Sequence, residues 1–451
     1  MSPDTAHNQP SARPTPNPLH PPHPVPEGAK PTKVPMRYLP QLSLTERDRR
    51  WDQLRKRMVL GHFDALLFLG NDIYWDMGIA NIRYVFGVAS KIALYGTFFV
   101  EGAPVVWNSV AHMNRPYNFL YSTQEWVSDI RPFRGLSEIC AELRSRGLDR
   151  SRIGLVAYSS TIQTVPTFLH GEIEQLKKEL PGAELIDASW ILEQMRLVKS
   201  EEEIGLLRQA GRIARKVVDA VVATARPGAT EAEVFAEMIR TQIANGGEPN
   251  IFNLFASGPI DHPPTELWHL LHGLDQPQVP STRPLAENDI IVAEWHTKYG
   301  GYLCHTEYTV YIGKKPPRQL LDIFKVCVEC LDVSKEVLKA GVTLREAWEA
   351  IRRPCEKAGY DFVELGFHAM GLGSPEFPTV IYQPGYGGNA LNGHRIGDFV
   401  LEEGMAFGNN IDVFNPKWKP DVGCMYSDFM IVRKGGAECL INTPREIGIA
   451  G

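Results

Sequence analysis

Asp289–Gly313, DIIVAEWHTKYGGYLCHTEYTVYIG, is the stretch on which the fold turns. An apolar run leads into Glu294, Gly300-Gly301-Tyr302 supplies a turn, and a β-rich run follows His305, so the segment predicts an antiparallel hairpin. Side chains alternate across a strand, which puts His305 and Glu307 on one face. Glu294, His296, His305 and Glu307, with His368 further on, are more titratable groups than a filled core tolerates unpaired. Chemistry is therefore expected at this hairpin.

The bulk composition excludes several classes. A chain of 451 residues is too long for one ordinary core, so two domains are expected. Hydrophobic residues make up 43%, charged residues 22%, and the formal charge is −6. That mild acidity offers no footprint for nucleic acid or an anionic membrane. No apolar run reaches the roughly 20 residues a membrane span needs. The N-terminus lacks the apolar core of a signal peptide, so a cytoplasmic location is expected. Seven cysteines, an odd and sparse set, fit a reducing compartment better than a disulfide framework.

Residues 1–40 hold twelve prolines and read as an extended arm with too little apolar surface to fold alone. From Leu44 the pattern changes. LTERDRRWDQLRKRM predicts a helix capped by Thr45. FDALLFLG, YGTFFVEGAPVVW and RIGLVAYSS predict strands, with helices near 136–146 and 170–180. Residues 41–194 thus form an α/β domain. Residues 195–451 open with a long amphipathic helix behind Ser200. RPGATEAEVFAEMI (226–239) and KAGVTLREAWEAI (339–351) echo one another as Gly-x-Thr helix entries, consistent with two half-domains around a pocket.

NIRYVFG (81–87), RLVKS (196–200), ASGP (256–259), the 289–313 hairpin, FHAMGLGSPEFP (367–378) and LEEGMAFGNNI (401–411), in this order, resemble the creatinase/aminopeptidase family (M24, pita-bread) over roughly residues 45–445. The resemblance implies an α/β N-terminal domain followed by an α+β pita-bread catalytic domain. It also implies a homodimer, because the family builds its pocket with a neighbouring subunit. The family's five metal ligands, two aspartates, a histidine and two glutamates, fall here on Glu294, His305, His368, Asn410 and Ser427. Only His368 is unchanged. A hard divalent ion wants several anionic oxygens, so no metal or other cofactor is expected. Glu307 matches a working glutamate of creatinase, the family's metal-free member.

Glu294, His305, Glu307 and His368 are the resulting candidates for catalysis. The loop before the hairpin adds His269 as the proton shuttle, with His272 and His262 behind it. Trp295, His296, Glu376, Asn410, Tyr95 and Lys91 are candidates for binding a small-molecule substrate. Losing the guanidinium and carboxylate grips of creatinase favours metal-independent acid/base cleavage by a lyase, for example loss of formaldehyde from an aromatic alcohol. A creatinase-like C–N hydrolase, a one-zinc hydrolase using Glu294, His305 and His368, and a binding scaffold remain as alternatives. Cys327-x-x-Cys330 lacks a second pair and reads as core. QPGYGGNALNG (383–393) reads as a loop near the site.

Overall fold

The computed structural model describes residues 40–70, 77–89, 94–108, 124–156, 168–249, 252–261, 280–381, 390–391, 394–419 and 422–451. The proline-rich arm up to residue 39, Lys91, His262, His269 and His272 lie outside the described residues, as do Tyr74, Trp75, Trp268 and most of the 383–393 loop.

The N-terminal domain opens with α1 (Leu44–Leu60), whose cap lies two residues before the expected Thr45. Ser43 is the cap: its Oγ accepts the Glu46 N–H at 3.1 Å. The strands β1 (Ala65–Gly70), β2 (Leu94–Phe99), β3 (Val105–Asn108), β4 (Asp129–Pro132), β5 (Arg152–Val156) and β6 (Glu184–Asp187) form one sheet in the order β4-β3-β2-β1-β5-β6. Every residue of β1 and β2 is buried. A strand covered on both faces has no solvent side to mark by alternation, which is why FDALLFLG reads as a continuous apolar run. Helices α2 (Met77–Phe86), α3 (Leu136–Ser145), α4 (His170–Glu179) and α5 (Ser189–Arg196) accompany it.

The C-terminal domain starts with α6 (Glu201–Thr224) and α7 (Glu231–Ala244). Three strands then form a meander: β7 (Asn253–Pro259), β8 (Asp289–Tyr299) and β9 (Tyr302–Ile312). Next come α8 (Arg318–Val337), α9 (Leu344–Ala358), β10 (Asp361–Ala369), β11 (Glu376–Ile381) and the short pair β12 (Ala390–Leu391) and β13 (His394–Arg395). The chain closes with β14 (Ala406–Phe414), β15 (Gly423–Met425), β16 (Phe429–Arg433), β17 (Gly436–Cys439) and β18 (Gly448–Ala450). One sheet runs β18-β9-β8-β7; the other runs β11-β10-β14-β16-β17, with β15 paired to β14. The two sheets with their helices form the pita-bread layer arrangement.

Ser200, Thr230 and Thr343 each cap a helix and close a capping box with the glutamate three residues on. The repeated Gly-x-Thr pattern is thus two helix starts, at α7 and α9. Cys327 and Cys330 are free and buried on α8, as a core reading of that pair requires.

The hairpin turn is locked to the N-terminal domain. Gly300 and Gly301 both have positive φ, a conformation that side chains with a Cβ rarely adopt. Glu248 accepts the Gly301 N–H at 2.7 Å and holds both guanidinium nitrogens of Arg83, at 2.8 and 2.9 Å. Deeper, the fully buried Arg50 donates to Glu46 at 2.7 Å, to the Tyr84 carbonyl at 2.9 Å and to the Tyr302 hydroxyl at 3.0 Å. Tyr302 donates its own proton to Glu203 at 2.8 Å. A buried arginine is tolerable only with this degree of pairing. The NIRYVFG motif therefore sets the position of the hairpin's turn from the other domain.

Candidate active site

Strands β8 and β9 pair with Glu294 opposite Glu307, Trp295 opposite Thr306, and His296 opposite His305. Alternation sends Glu294, His296, His305 and Glu307 to one face. Ala293, Trp295, Tyr308 and Val310 go to the other, where they join the core of the C-terminal domain. Trp295 was expected to line the pocket. It is instead a core residue, because it sits on the odd-numbered face of its strand.

The polar face meets the second sheet. Glu307 is fully buried; its Oε1 accepts the Asn410 amide at 2.8 Å and its Oε2 the Ile411 N–H at 3.2 Å. The Glu307 N–H donates to Ser427 Oγ at 2.6 Å, and the Ser427 N–H returns to the Glu307 carbonyl at 3.2 Å. Asn410 also donates to Glu364 Oε2 at 3.2 Å. His305 Nε2 lies 3.1 Å from Glu294 Oε1 and 3.7 Å from Glu307 Oε1. His296 Nε2 lies 3.9 Å from Glu294 Oε1, and its ring stacks on Phe252 at 4.1 Å. The His368 ring is 5.1 Å from that of His305. The structure thus brings Glu294, His296, His305, Glu307, His368 and Asn410 together.

Two members were missed. Glu364 stands on β10 four residues before His368, and Asp412 on β14 two after Asn410. Strand alternation from those two anchors was the available signal for both, modified on β10 by a register shift between Phe362 and Leu365.

The electrostatics follow from burying four carboxyls together. Burial, then Glu364, pushes Glu294 well above the usual carboxylate range. Burial, then Asp412, Glu294 and Glu364, does the same to Glu307, and burial with Glu364 and Glu294 to Asp412. Glu364 is pushed up by burial to about 7. Burial also lowers His296 and His305, helped by neighbouring imidazoles, and brings His368 to about 4. Burial thus works against the charged form of both partners where His305 meets Glu294 at 3.1 Å. Among the described residues no lysine or arginine pairs with Glu294, Glu307, Glu364 or Asp412.

Two substrate-binding expectations fail. Glu376 is committed to structure: it pairs with Arg196, and with Lys199 Nζ at 2.9 Å, and accepts the Gly373 N–H at 3.0 Å. The RLVKS motif is thus the partner of SPEFP. Tyr95 is buried in the N-terminal domain, stacked on Phe133 at 4.1 Å with its hydroxyl on Glu172.

Gly408 of β14 packs against His305 of the facing sheet. A Cβ there would lie 2.7 Å from His305 Cβ and 2.9 Å from its Nδ1. Gly408→Ala should cost about 1–3 kcal/mol by overpacking and displace His305. Urea unfolding together with histidine NMR shifts would check this, and an unmoved His305 resonance would refute it.

Residues 205–434 match the model of metallopeptidase family M24, and residues 50–198 that of the creatinase/prolidase N-terminal domain. The chain belongs to metallopeptidase family M24. Its M24 relatives include the probable dipeptidase PepE of Mycobacterium tuberculosis, 30% identical over 264 residues. That match covers 58% of this chain and 62% of PepE. Ectoine hydrolase of Halomonas elongata is 24% identical over 284 residues, covering 60% of this chain and 65% of the relative. Both matches span less than two thirds of the relative's length. The X-Pro aminopeptidase of Thermotoga maritima superposes with a TM-score of 0.70 at 19% identity, over 88% of this chain and 99% of its own, which establishes the shared fold.

The relatives correct the functional expectation. They are named dipeptidase, Xaa-Pro dipeptidase and ectoine hydrolase, which are hydrolases, so a formaldehyde-releasing lyase is overturned.

The M24 name also implies metal. Two bridged ions do not suit these residues. Asn410 turns its amide protons towards Glu307 and Glu364, and Ser427 Oγ is engaged by the Glu307 N–H. One ion does suit them. Glu294, His296 and His305 each offer a donor atom, all within 4.8 Å of one another. The buried His296 Nε2 has no hydrogen-bond partner.

Proposed function

We propose that the chain is a hydrolase that cleaves a C–N bond in a small molecule carrying a cationic nitrogen group. The carrying observation is the convergence of Glu294, Glu307, Glu364 and Asp412 in one buried pocket, unpaired by lysine or arginine among the described residues. Such a pocket favours a positive group and disfavours the aromatic alcohol expected from the sequence. The hydrolase names of the relatives support the reaction type.

Hydrolysis needs a base for water and an acid for the departing nitrogen. Glu364 is half-buried and titrates near neutrality, so it can take a proton from water at physiological pH. Asn410 orients it, and Glu307 in turn fixes Asn410. A neighbouring carboxyl that keeps its proton, with the neutral His368, can serve the leaving nitrogen. An ion held by Glu294, His296 and His305 would add Lewis-acid polarisation. A homodimer in the cytoplasm belongs to the same proposal.

Incubation in ¹⁸O-labelled water with dipeptides, cyclic amidines such as ectoine, and ureides tests the reaction class. Turnover should place one labelled oxygen in the acyl product. A cleaved product without label would sink the hydrolase reading.

A further inference from the structure

We infer that the pocket binds a single divalent transition-metal ion through Glu294, His296 and His305, with a carboxyl–amide cluster of Glu307, Asn410 and Glu364 where a second ion would otherwise sit. This goes beyond the hydrolase proposal and does not depend on it.

The ligand set differs from the one the family resemblance carries over, because His296 is not among those five positions. Its inclusion follows from strand register. His296 and His305 are directly opposite on β8 and β9, and Glu294 is two residues before His296 on the same face. Donors around a four-coordinate ion with bonds of about 2.0–2.2 Å stand about 3.4 Å apart. Here His305 Nε2 and His296 Nε2 are 3.1 and 3.9 Å from Glu294 Oε1, so small rotations suffice. The His296 ring is already fixed by its stack on Phe252, at an interplanar angle of 11°. Its Nε2 is buried, without a hydrogen-bond partner, and close to the Glu294 carboxylate. A buried ring nitrogen left without a hydrogen-bond partner is costly unless something arrives to engage it. Two imidazoles and a carboxylate are a donor set suited to zinc, and to iron or cobalt of the same charge.

The second position is closed by chemistry rather than by bulk. A cation between Glu307 and Glu364 would face the Asn410 amide protons, which both carboxyls already accept. Ser427 is neutral, fully buried and engaged by the Glu307 N–H at 2.6 Å. His368, with its ring 5.1 Å from that of His305, lies outside the triad.

The full-length protein, stripped with chelator and dialysed against zinc, should carry about one ion per chain by elemental mass spectrometry. X-ray absorption of the zinc form should count two imidazole nitrogens. His296→Ala should weaken zinc binding by more than the roughly 10–100-fold that loss of a supporting residue costs, whereas His368→Ala should stay within that range. Asn410→Ala should leave the stoichiometry at one. No bound ion, two ions, or a different imidazole count in the wild type would overturn the inference, and none of these needs a variant to fold. Unchanged affinity in a folded His296→Ala would also overturn it. All are measured as metal content or affinity, so they stand apart from any failure to find a hydrolysed substrate.

Discussion

Glu364→Gln is expected to lower turnover by on the order of 10²–10⁴, the usual contribution of a positioned acid–base group. The wild type should gain activity as pH rises through about 7, because the base works only after losing its proton. The variant should lose that limb, since an amide does not titrate. Asn410 can still donate to the side-chain carbonyl oxygen that the substitution leaves in place, so the fold should persist. Glu307→Gln gives the contrast. Both Glu307 oxygens accept N–H donors, and an amide nitrogen cannot, so one donor loses its acceptor at a cost of about 1–3 kcal/mol. Its activity loss should arise through a misplaced Asn410, with the limb near pH 7 shifted rather than abolished. Steady-state kinetics across pH on any cleaved substrate decides the matter. An unchanged pH limb in Glu364→Gln would remove that carboxyl as the base.

Glu376→Ala is expected to be the most destabilising single change in the C-terminal domain, at about 3–5 kcal/mol. The substitution leaves Lys199 and Arg196 charged, largely buried and unpaired. Burial acts to raise the Glu376 carboxyl, but Arg196 and Lys199 outweigh it and hold it at about 2. Its folded value is thus depressed below the unfolded value near 4.5. The stabilisation is fully present above about pH 4.5 and is lost as pH falls towards 2. Glu364 has the opposite sign: raised to about 7, it favours the folded state at low pH and loses that contribution as pH rises from about 4.5 to 7. Urea unfolding at pH 7 and pH 3 measures the first effect. A loss below about 1 kcal/mol at pH 7, or no narrowing of the difference between wild type and variant at pH 3, would refute it.

The motifs that resemble the family turned out to serve different ends. Arg196 and Lys199 of RLVKS and Glu376 of SPEFP are 177 to 180 residues apart in sequence yet form one buried ion cluster. Arg83 of NIRYVFG reaches the hairpin turn through Glu248. Read one at a time, each charged residue in such a motif looks like a ligand for substrate. Its partner is invisible until the chain is folded. Glu376 and Tyr95 were misread for that reason. Trp295 was misread although its strand parity was legible, because nothing local says which face of β8 meets the helices.

The sequence by itself determined the two-domain α/β and pita-bread fold, the hairpin, its turn glycines and the shared face of His305 and Glu307. These rest on local rules: the period of two along a strand, the turn chemistry of Gly300-Gly301, and the caps at Ser200, Thr230 and Thr343. Only the tertiary structure decided that Glu364 and Asp412 join the pocket, that His296 rather than His368 completes a donor triad, and that Asn410 spends its amide on two carboxyls. Those outcomes depend on how β10 and β14 lie across β8 and β9. That crossing is set by packing between residues far apart in the chain: strand alternation can group Glu364 with His368 and Asp412 with Asn410, but not lay those strands across the hairpin.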